Sequence, residues 1–229
     1  MTEVLAVPAI METASILGGG VSGALHARTR DMDYLGALIV AVSTGVGGGA
    51  IRDIMLGEVP VFLLNMFVPL AVIGAVAAFF FARLIERVTP FMFVLDTLLI
   101  GAWVVIGAEK AINAGLPPIA VVFVGATTAV GGGLLRDVLC RDIPTALMPG
   151  RYVAASGLIA SLVFTGLWNL GLEGMAEAAA LLTATLLRAL SYHYEWVTPS
   201  ALDMSSALRK WVGIHDPRTA TSGGKASAG

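Results

Sequence analysis

Ser43–Pro60 reads STGVGGGAIRDIMLGEVP, and Thr127–Pro144 reads TTAVGGGLLRDVLCRDIP. The two stretches align without a gap, 84 positions apart, and eight of their 18 positions are identical. Thr44, Val46, Gly47, Gly48, Gly49, Arg52, Asp53 and Pro60 recur as Thr128, Val130, Gly131, Gly132, Gly133, Arg136, Asp137 and Pro144. Outside these stretches the same offset carries Glu12 onto Asp96 and Gly23 onto Gly107. A glycine triplet, an Arg-Asp pair and a proline do not recur in register by chance, so the chain contains an internal duplication.

The surroundings of the duplicated stretches set their environment. Of 229 residues 57% are hydrophobic and 13% charged, against about 25% charged in an ordinary soluble domain. The mean hydropathy is +0.84. With 14 Lys and Arg, 16 Asp and Glu and a net charge of −2, the chain has neither a polar skin for a soluble enzyme nor a basic stripe for nucleic acid. A single cysteine, Cys140, excludes an internal disulfide framework.

A helix crosses the ~30 Å hydrocarbon core with about 20 apolar residues. Seven stretches qualify: Val4–Leu25, Tyr34–Ile51, Val61–Ala82, Val88–Ala108, Ala111–Leu135, Tyr152–Leu172 and Ala178–Tyr194. Long unbroken runs do not fit a transmembrane β-barrel, whose strands are short and alternating. The first stretch is preceded by Glu3 and by no Lys or Arg, unlike a signal peptide. The expected fold is an all-α polytopic membrane protein. Placing the N-terminus outside sends Arg28, Arg30, Arg83, Arg87, Arg141, Arg151 and the tail bases Arg209, Lys210, Arg218 and Lys225 to the inside, and leaves Lys110 outside. The positive-inside rule therefore predicts N-terminus out, C-terminus cytoplasmic, in the cell (inner) membrane.

Three spans per 84-residue unit is an odd number, so the second unit enters the membrane from the opposite side. The organisation predicted is residues 1–84 as a first three-helix repeat, 85–168 as a second, inverted one, 169–197 as a seventh helix and 198–229 as a partly disordered tail. Inverted repeats recur in transport proteins, with sites near the bilayer midplane at the repeat interface.

Three consecutive glycines cost a helix interior about 3 kcal/mol of propensity. The spacing predicts a bend or break at Gly47, Gly48 and Gly49 in the second span and at Gly131, Gly132 and Gly133 in the fifth. With Thr44 and Thr128 these are the candidate pore or hinge positions. The competing reading is close helix packing, as in Gly45-x-x-x-Gly49. A third triplet, Gly18–Gly20, has no counterpart in the fourth span and reads as packing.

Arg52, Asp53, Arg136, Asp137, Glu12, Asp96 and Arg188 fall within the spans. An ionisable group at the bilayer centre costs roughly 2.5–3.5 kcal/mol on insertion scales, so such groups face the bundle interior or water and pair. Adjacent residues do not share a helical face, so Arg52 is expected to pair with Glu12, Asp96 or Asp137 rather than with Asp53. The first six are candidate pore-lining or gating charges, or a buried network fixing helix register; Arg188 is expected to snorkel, and Glu58 to be a solvated loop charge. His26, His193 and His215 lack metal-ligand spacing, and no nucleophilic triad or P-loop is present, so neither a metal site, a cofactor nor an enzyme is expected.

Seven spans, two inverted three-helix repeats and the paired G-G-G-x-x-R-D segments resemble the trimeric intracellular cation channels, in their prokaryotic branch, over about residues 3–197. The resemblance implies a homotrimer with one pore in each protomer. Through each, monovalent cations, chiefly K⁺, would pass along an hourglass path beside kinked second and fifth helices. Animal relatives carry a Lys-Glu-Val lipid-binding motif; the nearest tripeptide here is Glu86-Arg87-Val88. Membrane lipids remain expected partners. Bacterial relatives are also described as glycine transporters, which supplies the alternative: a carrier for a small zwitterion working by alternating access of the two repeats, with Arg52 or Arg136 as the carboxylate donor. Trimer contacts are expected on small-residue outward faces of the first, second, fourth and fifth spans.

Overall fold

The computed structural model describes residues 6–86, 89–148 and 152–194, with side chains described at 10–81, 96–148 and 152–194. Among the described residues the regular structure is helical throughout: α1 (Ala6–Arg28), α2 (Tyr34–Met55), α3 (Phe67–Glu86), α4 (Thr89–Asn113), α5 (Pro118–Leu139), α6 (Val153–Asn169) and α7 (Glu173–His193). A one-turn helix, Val61–Leu64, follows α2, and a 3-10 turn, Thr145–Leu147, follows α5 at the same offset of 84.

Local chemistry sets the ends. The Asp33 side chain accepts the Gly36 N–H at 2.7 Å to cap α2, and Pro118 opens α5, where its missing N–H would have been unpaired anyway. At the C-terminus of α2 the Glu58 N–H bonds the Asp53 carbonyl and the Gly57 N–H bonds the Ile54 carbonyl, with Gly57 at φ 71°. This is the Schellman arrangement. α5 ends identically, Asp142 N–H to Asp137 O and Arg141 N–H to Val138 O, but places Arg141 at φ 61° where glycine would fit without strain.

The third span departs from expectation. Val61–Ala82 is not one helix: the chain turns at Asn65 and Met66, and α3 begins at Phe67. Pro60 and the Asp53 carboxylate hold the intervening turn against the end of α2. The tail from Pro199 onward, with Ala207–Val212 and Thr219–Gly229, lies outside the described residues, as do Arg87 and Arg151; the Arg83 side chain is likewise not described.

α4 runs through the middle. It packs against α1, α5, α6 and α7, and residues 101–108 are all buried. Between Asp96 and Ile112 only Leu98 is an exposed large hydrophobic residue. α2 and α5 cross in direct contact, and α1 packs on both α2 and α3. The outside is apolar. Tyr34 is 81% exposed and Phe80 82%, and Ile119, Phe123, Leu158 and Leu186 also face outward. Rows of exposed large hydrophobic residues on long helices fit a lipid environment, where each helix satisfies its own backbone. α2 and α5 are each long and apolar enough to cross a membrane.

Candidate functional site

The site is built around the crossing of α2 and α5. Both helices run unbroken through their glycine triplets, so of the bend or break expected there the break does not occur. Each triplet instead presents three different faces. A Cβ on the first glycine would first meet the tip of a flexible side chain, Leu135 Cδ1 at 2.5 Å for Gly47 and Ile51 Cδ1 at 3.0 Å for Gly131, with the Gly48 Cα also 3.1 Å from a Cβ on Gly131. A Cβ on the middle glycine would run into backbone, the Thr128 carbonyl oxygen for Gly48 and the Thr44 carbonyl oxygen for Gly132. The third glycine has room: at Gly49 the nearest atom is Arg52 Nη2 at 3.7 Å, and at Gly133 nothing lies within 4 Å.

Thr44 and Thr128 are buried at this crossing, and their hydroxyls donate to the Val40 and Val124 carbonyls at 2.6 Å. A Cβ on Gly23 would lie 2.5 Å from Thr44 Oγ1, and one on Gly107 2.6 Å from Thr128 Oγ1. Thr44 borders a cavity; Thr128 is enclosed by packing and borders neither cavity described below.

The charges follow the same offset. Arg52 donates from Nε to Asp53 Oδ1 at 2.7 Å, and its Nη2 lies 3.4 Å from Glu12 Oε1. Arg136 donates from Nε to Asp137 Oδ1 at 2.9 Å; its Nη1 reaches Ser22 Oγ at 3.0 Å and Asp96 Oδ2 at 3.9 Å. The expectation that adjacent residues would not pair is corrected: a guanidinium on a three-carbon arm folds back onto the next residue's carboxylate. The expected long-range partner of Arg52, Glu12, is present as well.

Each aspartate has a second task. Asp53 Oδ2 accepts the Val61 N–H at 2.7 Å. Asp137 Oδ2 accepts the Thr145 N–H at 2.8 Å and the Thr145 hydroxyl at 3.0 Å. The Arg-Asp pair thus closes its own helix and holds the turn that follows.

Six titratable residues not expected as site members stand in or beside these clusters: Lys110, Glu58, His26, Arg30, Asp142 and Arg188. Lys110, at the end of α4, bonds Asp53 Oδ1 at 2.7 Å and Glu58 Oε2 at 2.6 Å, so Glu58 is paired rather than merely solvated. Its counterpart 84 residues earlier is His26, whose Nε2 lies 2.8 Å from Asp142, joined there by Arg30 at 2.9 Å. His26 and Arg30 hold the Asp142 carboxyl below its ordinary range. Arg188 does not snorkel: it is buried, with Nε 3.2 Å from Thr97 Oγ1. The offset relates His26 to Lys110, a signal the sequence reading left unused; Arg188 lies within a span, where a charge is expected to face the interior, and only its place near the helix end suggested snorkelling.

Two cavities flank the crossing. The larger, about 100 Å³, is bordered by Ser22, Thr44, Asp96, Gly133, Arg136 and Arg188 among others. The smaller, about 10 Å³, is bordered by Glu12, Gly49, Arg52, Asp53, Phe62 and Trp103 among others. Glu12, Gly49 and Arg52 correspond by the offset to Asp96, Gly133 and Arg136. Among the described residues no group of three or more His, Cys, Asp or Glu could hold a metal ion.

Comparison with known proteins places this architecture. The family described as Glycine transporter matches residues 9–83 and 93–168, two segments whose starts differ by the repeat offset. Among solved structures, a chain from a study of conductance through TRIC cation channels is 32% identical with a TM-score of 0.78, covering 84% of this chain and 96% of that one. The TRIC trimeric intracellular cation channel orthologue from Rhodobacter sphaeroides is 32% identical with a TM-score of 0.77, covering 82% and 98%.

The chain belongs to this TRIC-like family of membrane proteins.

Curated relatives of the TRIC-like chain include the UPF0126 inner membrane protein YadS of Escherichia coli, 39% identical over 138 residues, 59% of this chain and 67% of YadS. A UPF0126 membrane protein of Deinococcus radiodurans is 34% identical over 136 residues, 58% of this chain and 63% of that protein.

Proposed function

We propose that the chain forms a channel for monovalent cations, chiefly K⁺, in the cell (inner) membrane, as a homotrimer with one path in each protomer. The path runs beside the α2–α5 crossing, through the two offset-related cavities, in a protein whose units 1–84 and 85–168 are inverted three-helix repeats, with residues 169–197 as the seventh spanning element. The N-terminus lies outside and the C-terminus in the cytoplasm. The observation that carries the reading is the larger cavity, bordered by Ser22, Thr44, Asp96, Thr145 and Arg136, inside a bundle coated with apolar side chains. Polar residues within a membrane bundle line water and solute pathways. The likeness to TRIC channel structures adds the solute class.

The glycine-transporter description supports a second reading. A cavity of about 100 Å³ beside Arg136 and Asp96 has the size and both charges that a small zwitterion requires. Purified protein in a planar bilayer with a K⁺ gradient separates the two. Unitary current steps are expected. Saturable uptake of labelled glycine into vesicles, with no current steps, would overturn the channel in favour of the carrier.

A further inference from the structure

We infer that the Trp103 indole is the partition between the two cavities and that it holds the path of each protomer closed; the role as a closure rests on the cation-path reading above. Trp103 sits on α4, 7% exposed, and borders both cavities. Among the described residues it is the one side chain common to the two linings. The small cavity is also bordered by Arg52, Asp53 and Glu12, and the large one by Arg136, Asp96 and Arg188.

The duplication explains why one side is shut. The cavities share corresponding residues, Ile16 with Ile100, Val46 with Val130, Gly49 with Gly133 and Arg52 with Arg136. They differ in what fills them. Phe62 of the small cavity corresponds to Ala146 of the large one and Val61 to Thr145, while Trp103, which borders both, corresponds to Gly19 of the large one. Bulky apolar rings thus occupy one half where small or polar residues leave the other open, and the volumes are about 10 and 100 Å³.

The gap opposite the ring is closed too. A Cβ on Gly49 would lie 3.8 Å from Trp103 Cζ3, ordinary carbon contact, so the space between indole and α2 is about one methyl wide. A hydrated cation does not pass there.

The test combines flux with chemical access in Trp103→Ala and Trp103→Phe, with Trp103→Leu in reserve if the alanine variant does not fold. Thallium influx into proteoliposomes is expected to rise roughly tenfold in Trp103→Ala, the change produced by lowering a barrier by 1.4 kcal/mol, and to stay near wild type in Trp103→Phe. In a Cys140→Ser background, Val46→Cys reports the small cavity and Val130→Cys the large one. A cationic methanethiosulfonate reagent added from the side that labels Val130→Cys is expected to label Val46→Cys only after Trp103→Ala. A rise in labelling without cation flux in any variant upholds the partition and overturns the cation reading. Unchanged labelling and flux in Trp103→Ala overturn the partition, while wild-type conductance decides the cation reading separately.

Discussion

The middle glycine of each triplet is expected to be the one the fold cannot lose. At Gly48 a methyl would press on the Thr128 carbonyl oxygen, and at Gly132 on the Thr44 carbonyl oxygen, both closer than 3.0 Å and both backbone. Restoring ordinary contact requires α2 and α5 to part by roughly 1 Å, and overpacking of this kind costs about 1–3 kcal/mol. Alanine returns about 1 kcal/mol of helix propensity. The net loss for Gly48→Ala or Gly132→Ala is then about 0–2 kcal/mol, or up to roughly 8 °C in Tm for a chain of this size. Because one separation relieves both clashes, the double variant is expected to lose less than the sum of the singles. Gly49→Ala and Gly133→Ala supply controls of identical chemistry. Neither Cβ meets anything closer than 3.7 Å, so both are expected to melt at or slightly above wild type. Thermal melts of the detergent-solubilised protein, read by tryptophan fluorescence, measure all five. A hinge acting through helix propensity alone would make the glycines of a triplet behave alike. If Gly48→Ala melts with or above Gly133→Ala, the close-contact account is wrong.

Asp53→Asn is expected to destabilise by about 3–5 kcal/mol, the cost of removing a buried charge partner, and Asp137→Asn by less, because Arg52 is 2% exposed and retains only Glu12 at 3.4 Å, whereas Arg136 retains Ser22 and Asp96; equal chemical-denaturation midpoints would contradict the asymmetry. For Asp142, bonded to His26 and Arg30, the folded carboxyl titrates below its unfolded value of 3.8. Its contribution is therefore present above that value and lost as pH falls through the lower folded value, so wild type is expected to lose more stability than Asp142→Asn between about pH 5 and 2; parallel pH profiles would refute this. A cysteine at Thr128, enclosed against Gly107, is expected to resist thiol reagents from both sides of the membrane, while one at Thr44 reacts from the side of the larger cavity; rapid labelling at Thr128 would show that the crossing opens.

The sequence disclosed the elements and their pairing better than their contacts. Hydropathy located the helices because lipid imposes apolar length directly, and the offset of 84 foretold that Glu12 and Asp96 would play matching parts. Three things escaped it. The glycine triplets read as weak helix, because propensity is local, whereas the room around a Cβ depends on the opposing helix. Arg52–Asp53 read as facing apart, because helical periodicity fixes Cα directions and not the reach of a guanidinium. Trp103 drew no notice, because its importance lies in the difference from Gly19, and the offset is informative there only once both residues are known to border cavities.

The G-G-G-x-x-R-D segment then reads as one device. Its middle glycine sets the distance between α2 and α5, and its aspartate closes the helix one turn later and anchors the turn beyond. Its arginine reaches back to a carboxylate on α1 or α4. Helix spacing, helix end and the third helix are therefore tied together within seven residues. Moving any one of them disturbs the other two, and with them the Arg52 and Arg136 charges that border the cavities. The duplication places one such device at each cavity, and the third glycine of each is left free of the helix contact. In the large cavity that freedom is open space at Gly133; in the small one it faces the ring of Trp103 across Gly49. The closely packed part of the motif and the part with room around it are consecutive residues, which is why alanine at Gly48 and at Gly49 is expected to differ in its effect on stability.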